Sequence, residues 1–384
     1  MDDAWGLIRR TVRILYISDN SSDHNLRFLA KFSAAGHDIF FFNLRHGSLR
    51  DPLPGRVFYV PHDPGIPNPP IAAEIETLLP QVKSAQHETR PDLVYAGPVQ
   101  TAGYLAALSG FHPMIVMSWG SDLLLDRYRR SMWKQATEAA LCAADGFVCD
   151  CDAVRNAALR YVDFPDSRIA QLPWGVTPGE FSPFGVTPSP ALMHFGPETI
   201  RFVCTRSWEP LYRIDLLLRA FLQAYKADNR IRLILIGSGT ESQRIHEFVS
   251  GNSLDHVVLM PGKLAHPELP KWFRAATAYV SCAKCDGTSV SLLEAMSTGL
   301  PVVVSDIPSN REWVRQDENG WLATDADQFA QRLLTVSQLT NDQRETISRA
   351  NRQLVHERAD WNRNFASVAQ LCERLVVARR AVNQ

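Results

Sequence analysis

The apolar positions of this chain fall into short unbroken runs separated by stretches with helical spacing. Residues 12–18 (VRILYIS) are such a run with a polar tail, which predicts a buried strand. The signal repeats at 38–44, 56–60, 92–97, 114–119, 146–150 and 168–172, with helical patterns at 26–35, 71–89 and 130–143. Runs without in–out alternation belong to strands covered on both faces, and strand–helix alternation predicts a parallel, doubly wound α/β sheet. Residues 173–197 interrupt the pattern with six prolines and four glycines, the strongest linker signal in the chain. The alternation then restarts, with strands expected at 201–205, 232–237, 257–261, 278–282, 301–306 and 320–324. A helix expected over 215–226 lines up Leu216, Leu217, Ala220, Phe221 and Ala224 on one stripe. The expected organisation is a first domain over 1–180, a linker over 181–198, a second domain over 199–360 and a C-terminal helical segment over 361–384. Two Rossmann-like domains joined by a proline-rich hinge suggest a protein that binds its ligand in a cleft.

The stretch 278–320 carries the clearest chemistry. A strand at 278–282 runs into a loop without long apolar side chains, a helix over 289–297, Gly299 and Pro301 as stop signals, and a further strand. In such a βαβ unit ligands sit at the carboxyl ends of the strands. Asp286 lies at the loop tip, and Glu294 follows after seven residues. Gly287, Thr288 and Ser289 lie between them, where unpaired amides and the helix dipole favour an anion such as a phosphate. Carboxylates accept from sugar hydroxyls and amides take phosphate oxygens, so the pattern implies a ligand carrying both. The competing readings are a capping box, Ser291-Leu-Leu-Glu294, and a solvated turn residue at Asp286. In the first strand–helix connection of the second domain, Arg206 and Arg213 are suited to clamp a diphosphate.

Composition narrows the class. The chain is 45% hydrophobic and 21% charged, with 40 basic and 41 acidic residues and a net charge of −1, an ordinary globular balance without the basic field that nucleic acid requires. No apolar run reaches the ~18 residues of a membrane span. Seven scattered cysteines point to reduced thiols and a cytoplasmic location. The lone Cys282-x-x-Cys285 lacks a second pair, so it predicts structural thiols and no zinc site. Residues 127–134 mix basic and aromatic side chains, a pattern that suits either an anionic membrane surface or a solvated helix face. His24, in the polar loop after the first strand, is either a general base or simply exposed. Asp122 either holds an acceptor hydroxyl or caps a helix. Gly237-x-Gly239-x-x-Ser242 lacks the third glycine and the later acid of a nicotinamide site.

The segment DGTSVSLLEAMSTGLPVVVSD resembles the E-x7-E signature of the retaining glycosyltransferases of family 4, with Asp286 in place of the first Glu. The resemblance covers nearly the whole chain, is strongest over 201–324 and weakest in the first hundred residues. It implies the GT-B fold and metal-independent transfer of a hexose from a UDP or GDP sugar to a carbohydrate, lipid-linked or small-molecule acceptor hydroxyl, in glycan, glycolipid or glycoconjugate biosynthesis. It implies that Asp286 faces the donor sugar and that Glu294 holds the nucleotide ribose. Thr205-Arg206-Ser-Trp-Glu-Pro-Leu-Tyr212-Arg213 is similar to the family's diphosphate-binding G-R-L-x-x-x-K-G, with Tyr212 at the lysine and Arg213 one place later. Gly237 and Gly239 match a glycine-rich turn close to the nucleotide, and Lys263 a strand end near the base. Trp119 stands where the family commonly carries a histidine near the reacting sugar. Trp174-Gly-Val-Thr-Pro-Gly-Glu-Phe-Ser-Pro183 stands where the family has N-G-V-D-x-x-x-F-x-P, which makes Asp150-Cys-Asp152 a loop or cap feature and not a metal-binding D-x-D. No cofactor is expected beyond the nucleotide-sugar substrate. The alternatives are a GT-B epimerase, which needs acid/base groups such as His24 and Asp122, and a sugar-nucleotide-binding protein without turnover.

Overall fold

A computed structural model of the chain describes residues 11–45, 53–62, 72–125, 131–177, 179–185, 194–196 and 198–382. The chain divides into two compact units, residues 1–172 with 363–384, and residues 173–362. In the first, strands β1 (Arg13–Ser18), β2 (Asp38–Asn43), β3 (Val57–Tyr59), β4 (Leu93–Gly97), β5 (Met114–Met117), β6 (Gly146–Cys149) and β7 (Ile169–Gln171) form one sheet. Their order is β3-β2-β1-β4-β5-β6-β7 and each pairing is parallel. In the second, β8 (Ile200–Cys204), β9 (Ile231–Ile236), β10 (Val258–Gly262), β11 (Ala278–Ser281), β12 (Val302–Ser305) and β13 (Gly320–Ala323) pair in the order β10-β9-β8-β11-β12-β13, again parallel.

Both sheets are buried on both faces, as their uninterrupted apolar runs require. In the second unit Phe202, Leu233, Leu235, Val280 and Val303 pack against the Ile214–Ala227 helix through Leu217 and Phe221. Their neighbours Val203, Ile234, Tyr279, Val302 and Val304 face the other way, onto Leu292, Leu293 and Met296 of the Val290–Ser297 helix. Strand order reverses between β1 and β4 and between β8 and β11. The loops leaving those strands splay apart at that reversal, the place where a doubly wound sheet takes its ligand.

Several boundaries differ from the sequence expectation for physical reasons. The pattern at 71–89 forms two helices, Ala72–Glu76 and Leu79–Thr89, because Pro80 lacks an amide hydrogen and sits at the start of a new helix. The first helix starts earlier than expected, at Asp23, because Ser22 accepts from the Asn25 amide and caps it. A buried π-helical turn, Val99–Gly103, and the Tyr104–Ser109 helix follow β4 where no element was expected. The first domain ends at 172, not 180. Val176 donates to the Ala359 carbonyl and accepts from the Trp361 amide, and Phe181 is buried in the second core with its carbonyl bonded by Ser297. The linker expected at 181–198 is therefore anchored at its start, while 186–193 and 197 lie outside the described residues. The last helix runs Trp361–Val382, and from Arg363 onward it belongs to the first unit, with Phe365 edge-on to Phe28 and Phe32. Of the basic–aromatic stretch, 127–130 lie outside the described residues and Ser131 begins the Ser131–Ala143 helix. Among the described residues no helix is long and apolar enough to cross a membrane.

Gly299 ends the Val290–Ser297 helix with a left-handed φ of +85°, and an added Cβ would run into Ser348 Oγ. Gly299→Ala combines that backbone strain with a collision at a packed helix, and is expected to lower the unfolding free energy by about 1–3 kcal/mol in a urea titration.

Candidate active site

Arg206 leaves the end of β8 and Asp286 lies in the loop after β11, so the two meet at the strand-order reversal of the second unit. Arg206 Nη2 donates to Asp286 Oδ2 at 2.7 Å, while Nη1 donates to Ser289 Oγ at 2.7 Å and Ser291 Oγ at 3.1 Å. Three of the five guanidinium N–H groups are thus committed inside the loop. The Tyr212 ring stacks on the guanidinium at 4.1 Å, at the position where the resemblance expects a lysine. Asp286 also accepts from the Gly287 amide and the Ser289 hydroxyl. Part of the anion hole expected at Gly287–Ser289 therefore faces the chain's own carboxylate. Burial pushes the Asp286 carboxyl above the usual carboxylate range, opposed by the guanidinium beside it. Burial disfavours charge on Arg206, but Asp286 outweighs it and keeps the guanidinium firmly protonated.

The helix that follows is capped by Ser289, whose hydroxyl accepts from the Leu292 amide. This removes the capping-box reading of Ser291 and Glu294, since Ser291 lies inside the helix and meets the Tyr279 hydroxyl at 2.8 Å. Glu294, one turn on from Ser291, is almost fully buried with its side chain 4% exposed. It does not lie against apolar atoms alone, because His266 Nε2 donates to its Oε1 at 2.7 Å. His266 was missed in the sequence. A lone histidine in the turn after β10 carries no spacing signal, and its partner is 28 residues away.

Beside this cluster lies a cavity of about 400 Å³ lined by Thr205, Ser207, Glu209, Ile236, Gly237, Ser238, Gly239, Lys263, Leu264 and Leu269. That volume falls within the range of small-ligand sites. The loops that wall it are laced together: Trp208 donates to the Ser238 carbonyl, Glu241 to the Trp208 carbonyl, and the Thr240 amide to Glu209 Oε1 at 3.0 Å. Here the two glycines acquire a reason different from the expected approach to a nucleotide. A Cβ on Gly237 would meet the Arg206 carbonyl at 2.5 Å, and one on Gly239 would meet Glu209 Oε1 at 2.6 Å. Arg213 holds a left-handed φ of 51° as the cap residue of the Ile214–Ala227 helix. Cys282 and Cys285 are buried and lie outside any disulfide, and burial pushes the Cys282 thiol well up.

In the first unit the structure brings the exposed His24 ring to 5.8 Å from Trp119, beside Phe28. Asp122 is a correction. It is 5% exposed and accepts from Ser118 Oγ and the amides of Val99 and Leu123, bonds that tie β5 to the turn after β4. Its carboxylate serves that tie and not an acceptor hydroxyl. Asp152 begins the Asp152–Ala158 helix and accepts from Gln171. Among the described residues no group of three or more His, Cys, Asp or Glu could hold a metal. No local pattern in the sequence marks Asp19 as a titrating group. It accepts from Thr101 at the strand-order reversal of this unit, with Arg45 at 3.7 Å, and burial pushes its carboxyl up to about 6.

Residues 197–338 match a family model described as glycosyl transferases group 1, and residues 13–150 match one described as glycosyl transferase 4-like. The putative colanic acid biosynthesis glycosyltransferase WcaL of Escherichia coli is 29% identical over 168 residues, 41% of either chain. Sucrose-phosphate synthase from Thermosynechococcus elongatus superposes with a TM-score of 0.79 at 18% identity, covering 96% of this chain and all of that one. Anabaena Alr3699/HepE, solved in complex with UDP-glucose, superposes with a TM-score of 0.76 at 17% identity, covering 95% and 99%. The chain spans between 21% and 41% of the length of the first curated relatives it matches. The fold is the GT-B architecture.

The Asp19 carboxyl gives a test of the first unit. Its folded value of about 6 lies above the ordinary 3.8, so its contribution to stability is full below about pH 3.8 and is lost as pH rises through 6. The gap corresponds to ~3 kcal/mol of disfavoured ionisation at neutral pH. Asp19→Asn is expected to flatten the stability profile between about pH 4 and 6 and to raise stability at pH 7 by about 1–3 kcal/mol in denaturant titrations.

Proposed function

We propose that this GT-B chain is a glycosyltransferase that takes a nucleoside-diphosphate sugar, UDP-linked by preference, in its second unit and moves the sugar to an acceptor hydroxyl. The observation that carries the reading is the Arg206–Asp286–Ser289 cluster at the β8/β11 reversal, with the cavity and Glu294 beside it. In this reading the cavity takes the nucleoside and Glu294 the ribose hydroxyls. Asp286 faces the transferred sugar. The two uncommitted N–H groups of Arg206, Arg213 and the amides of Thr288 and Ser289 take the diphosphate. Positive and dipolar groups fixed before the reaction stabilise the charge that grows on a departing diphosphate.

The finer assignments belong to the same proposal. They are membership of family 4, retention of configuration with the departing phosphate assisting deprotonation of the acceptor, independence from a divalent ion, and a biosynthetic role in the cytoplasm. The solved complex of HepE with UDP-glucose supports the UDP preference, and the likeness to WcaL supports a polysaccharide acceptor. The epimerase alternative loses ground because Asp122, one of its two acid/base groups, is committed to backbone bonds.

Incubation of the purified chain with UDP- and GDP-sugars and saccharide or lipid-linked acceptors should yield a new glycoside with retained configuration, unaffected by EDTA. Arg206→Ala should lower kcat/KM by about 10²–10³. An isomerised donor in the absence of acceptor would overturn the transferase reading, and so would obligatory use of a metal ion for its metal-free form.

A further inference from the structure

The group that orients Glu294 comes from a part of the chain the proposed chemistry does not use. Glu294 lies on the Val290–Ser297 helix, whereas His266 lies in the turn after β10, on the short His266–Glu268 helical turn. Lys263 and Leu264 before that turn and Leu269 after it line the 400 Å³ cavity. His266 therefore ties the wall of the cavity to the helix carrying the anion-binding loop.

The histidine is itself held from behind. Its ring packs at 5.4 Å on Phe181, which stands edge-on to Phe273 at 5.6 Å and whose carbonyl accepts from Ser297 Oγ at 2.6 Å. Ser297 closes the same helix that carries Glu294, so the imidazole is braced against that helix from both sides. A buried carboxylate is costly unless hydrogen-bonded, and a carboxylate left to choose among rotamers reads a pair of hydroxyls poorly. One N–H from His266 occupies one of about four lone-pair sites on the carboxylate.

Resting on the reading of Glu294 as the ribose ligand, we propose that His266 is the positioning residue that holds the Glu294 carboxylate for ribose, so that discrimination between ribo- and deoxyribonucleotides depends on a side chain that does not itself meet the nucleotide. Outer partners of this kind fix the orientation of a ligand-binding group much as they do around metal ligands.

Calorimetric titration of UDP and 2′-deoxy-UDP, and of GDP and its deoxy form, into the wild type and the His266→Ala and His266→Gln variants tests this. The wild type should prefer the ribonucleotide by about tenfold or more. His266→Ala should lose that preference by weakening the ribonucleotide alone, with deoxynucleotide affinity within about twofold of wild type. His266→Gln, which restores an N–H donor, should recover most of it. Equal weakening of both nucleotides by His266→Ala would assign His266 a purely structural part, and an unchanged ratio would remove it from recognition. Either result overturns the inference while leaving Glu294 in place. A wild type that does not distinguish the two sugars would instead overturn the ribose reading of Glu294, and this inference with it.

Discussion

The site in the second unit depends on one ion pair, Arg206 with Asp286. The pair is mostly withdrawn from water, with side chains 11% and 20% exposed, so neither charge would be tolerated there without the other. It joins the loop after β8 to the loop after β11, which otherwise splay apart where strand order reverses. Tyr212 covers one face of the guanidinium, Ser289 and Ser291 take its second arm, and the Ser309 hydroxyl donates to the Asp286 carbonyl from the short Pro308–Arg311 helix after β12. The geometry of these loops is therefore set before a ligand arrives, which keeps the reorganisation cost of binding low.

The first unit solves the same topological problem with weaker means. Its reversal lies between β1 and β4, and there Asp19 accepts from Thr101 across the gap, with Arg45 too distant for a direct bond. Without a close cation the carboxyl is dominated by burial, and its affinity for a proton rises. Burial thus raises the carboxyl at both reversals: at Asp286 the adjoining guanidinium opposes the rise, and at Asp19 the rise reaches about 6. The opposing guanidinium nitrogen stands 2.7 Å from the carboxylate oxygen in the second unit and 3.7 Å from it in the first.

The fold was legible because strands buried on both faces leave unbroken apolar runs, and each expected strand has its counterpart. What could not be read depended on contacts distant in sequence. Val176 bonding to Ala359 and Trp361 assigns 173–180 to the second unit, and no local pattern announces that. Pro80 was visible as a residue but read as tolerated within one helix, where it begins another. Within the site, Arg206, Asp286 and Ser289 stood out because helix-start chemistry is local. His266 did not, because a histidine acquires its meaning only from the carboxylate it meets. Asp122 was ambiguous for the same reason, and the Val99 amide 23 residues upstream decides it.

The ion pair also constrains where positive charge for a diphosphate comes from. Arg206 and Asp286 together are close to neutral at a distance, so the guanidinium contributes directed donors more than net charge. The Gly287 amide is already engaged by Asp286, which leaves fewer backbone donors than an open helix start would offer. A diphosphate in the proposed site would draw its net attraction from cations outside the pair, among them Arg213 at the start of the Ile214–Ala227 helix, Lys263 on the cavity wall and Lys284 in the loop after β11. The tyrosine at 212 fits the same scheme. A second cation against Arg206 would repel it, whereas an aromatic face stabilises the guanidinium without adding charge. Moving the cation one residue on, to Arg213, keeps the charge in the loop while letting Arg206 serve as its fixed framework.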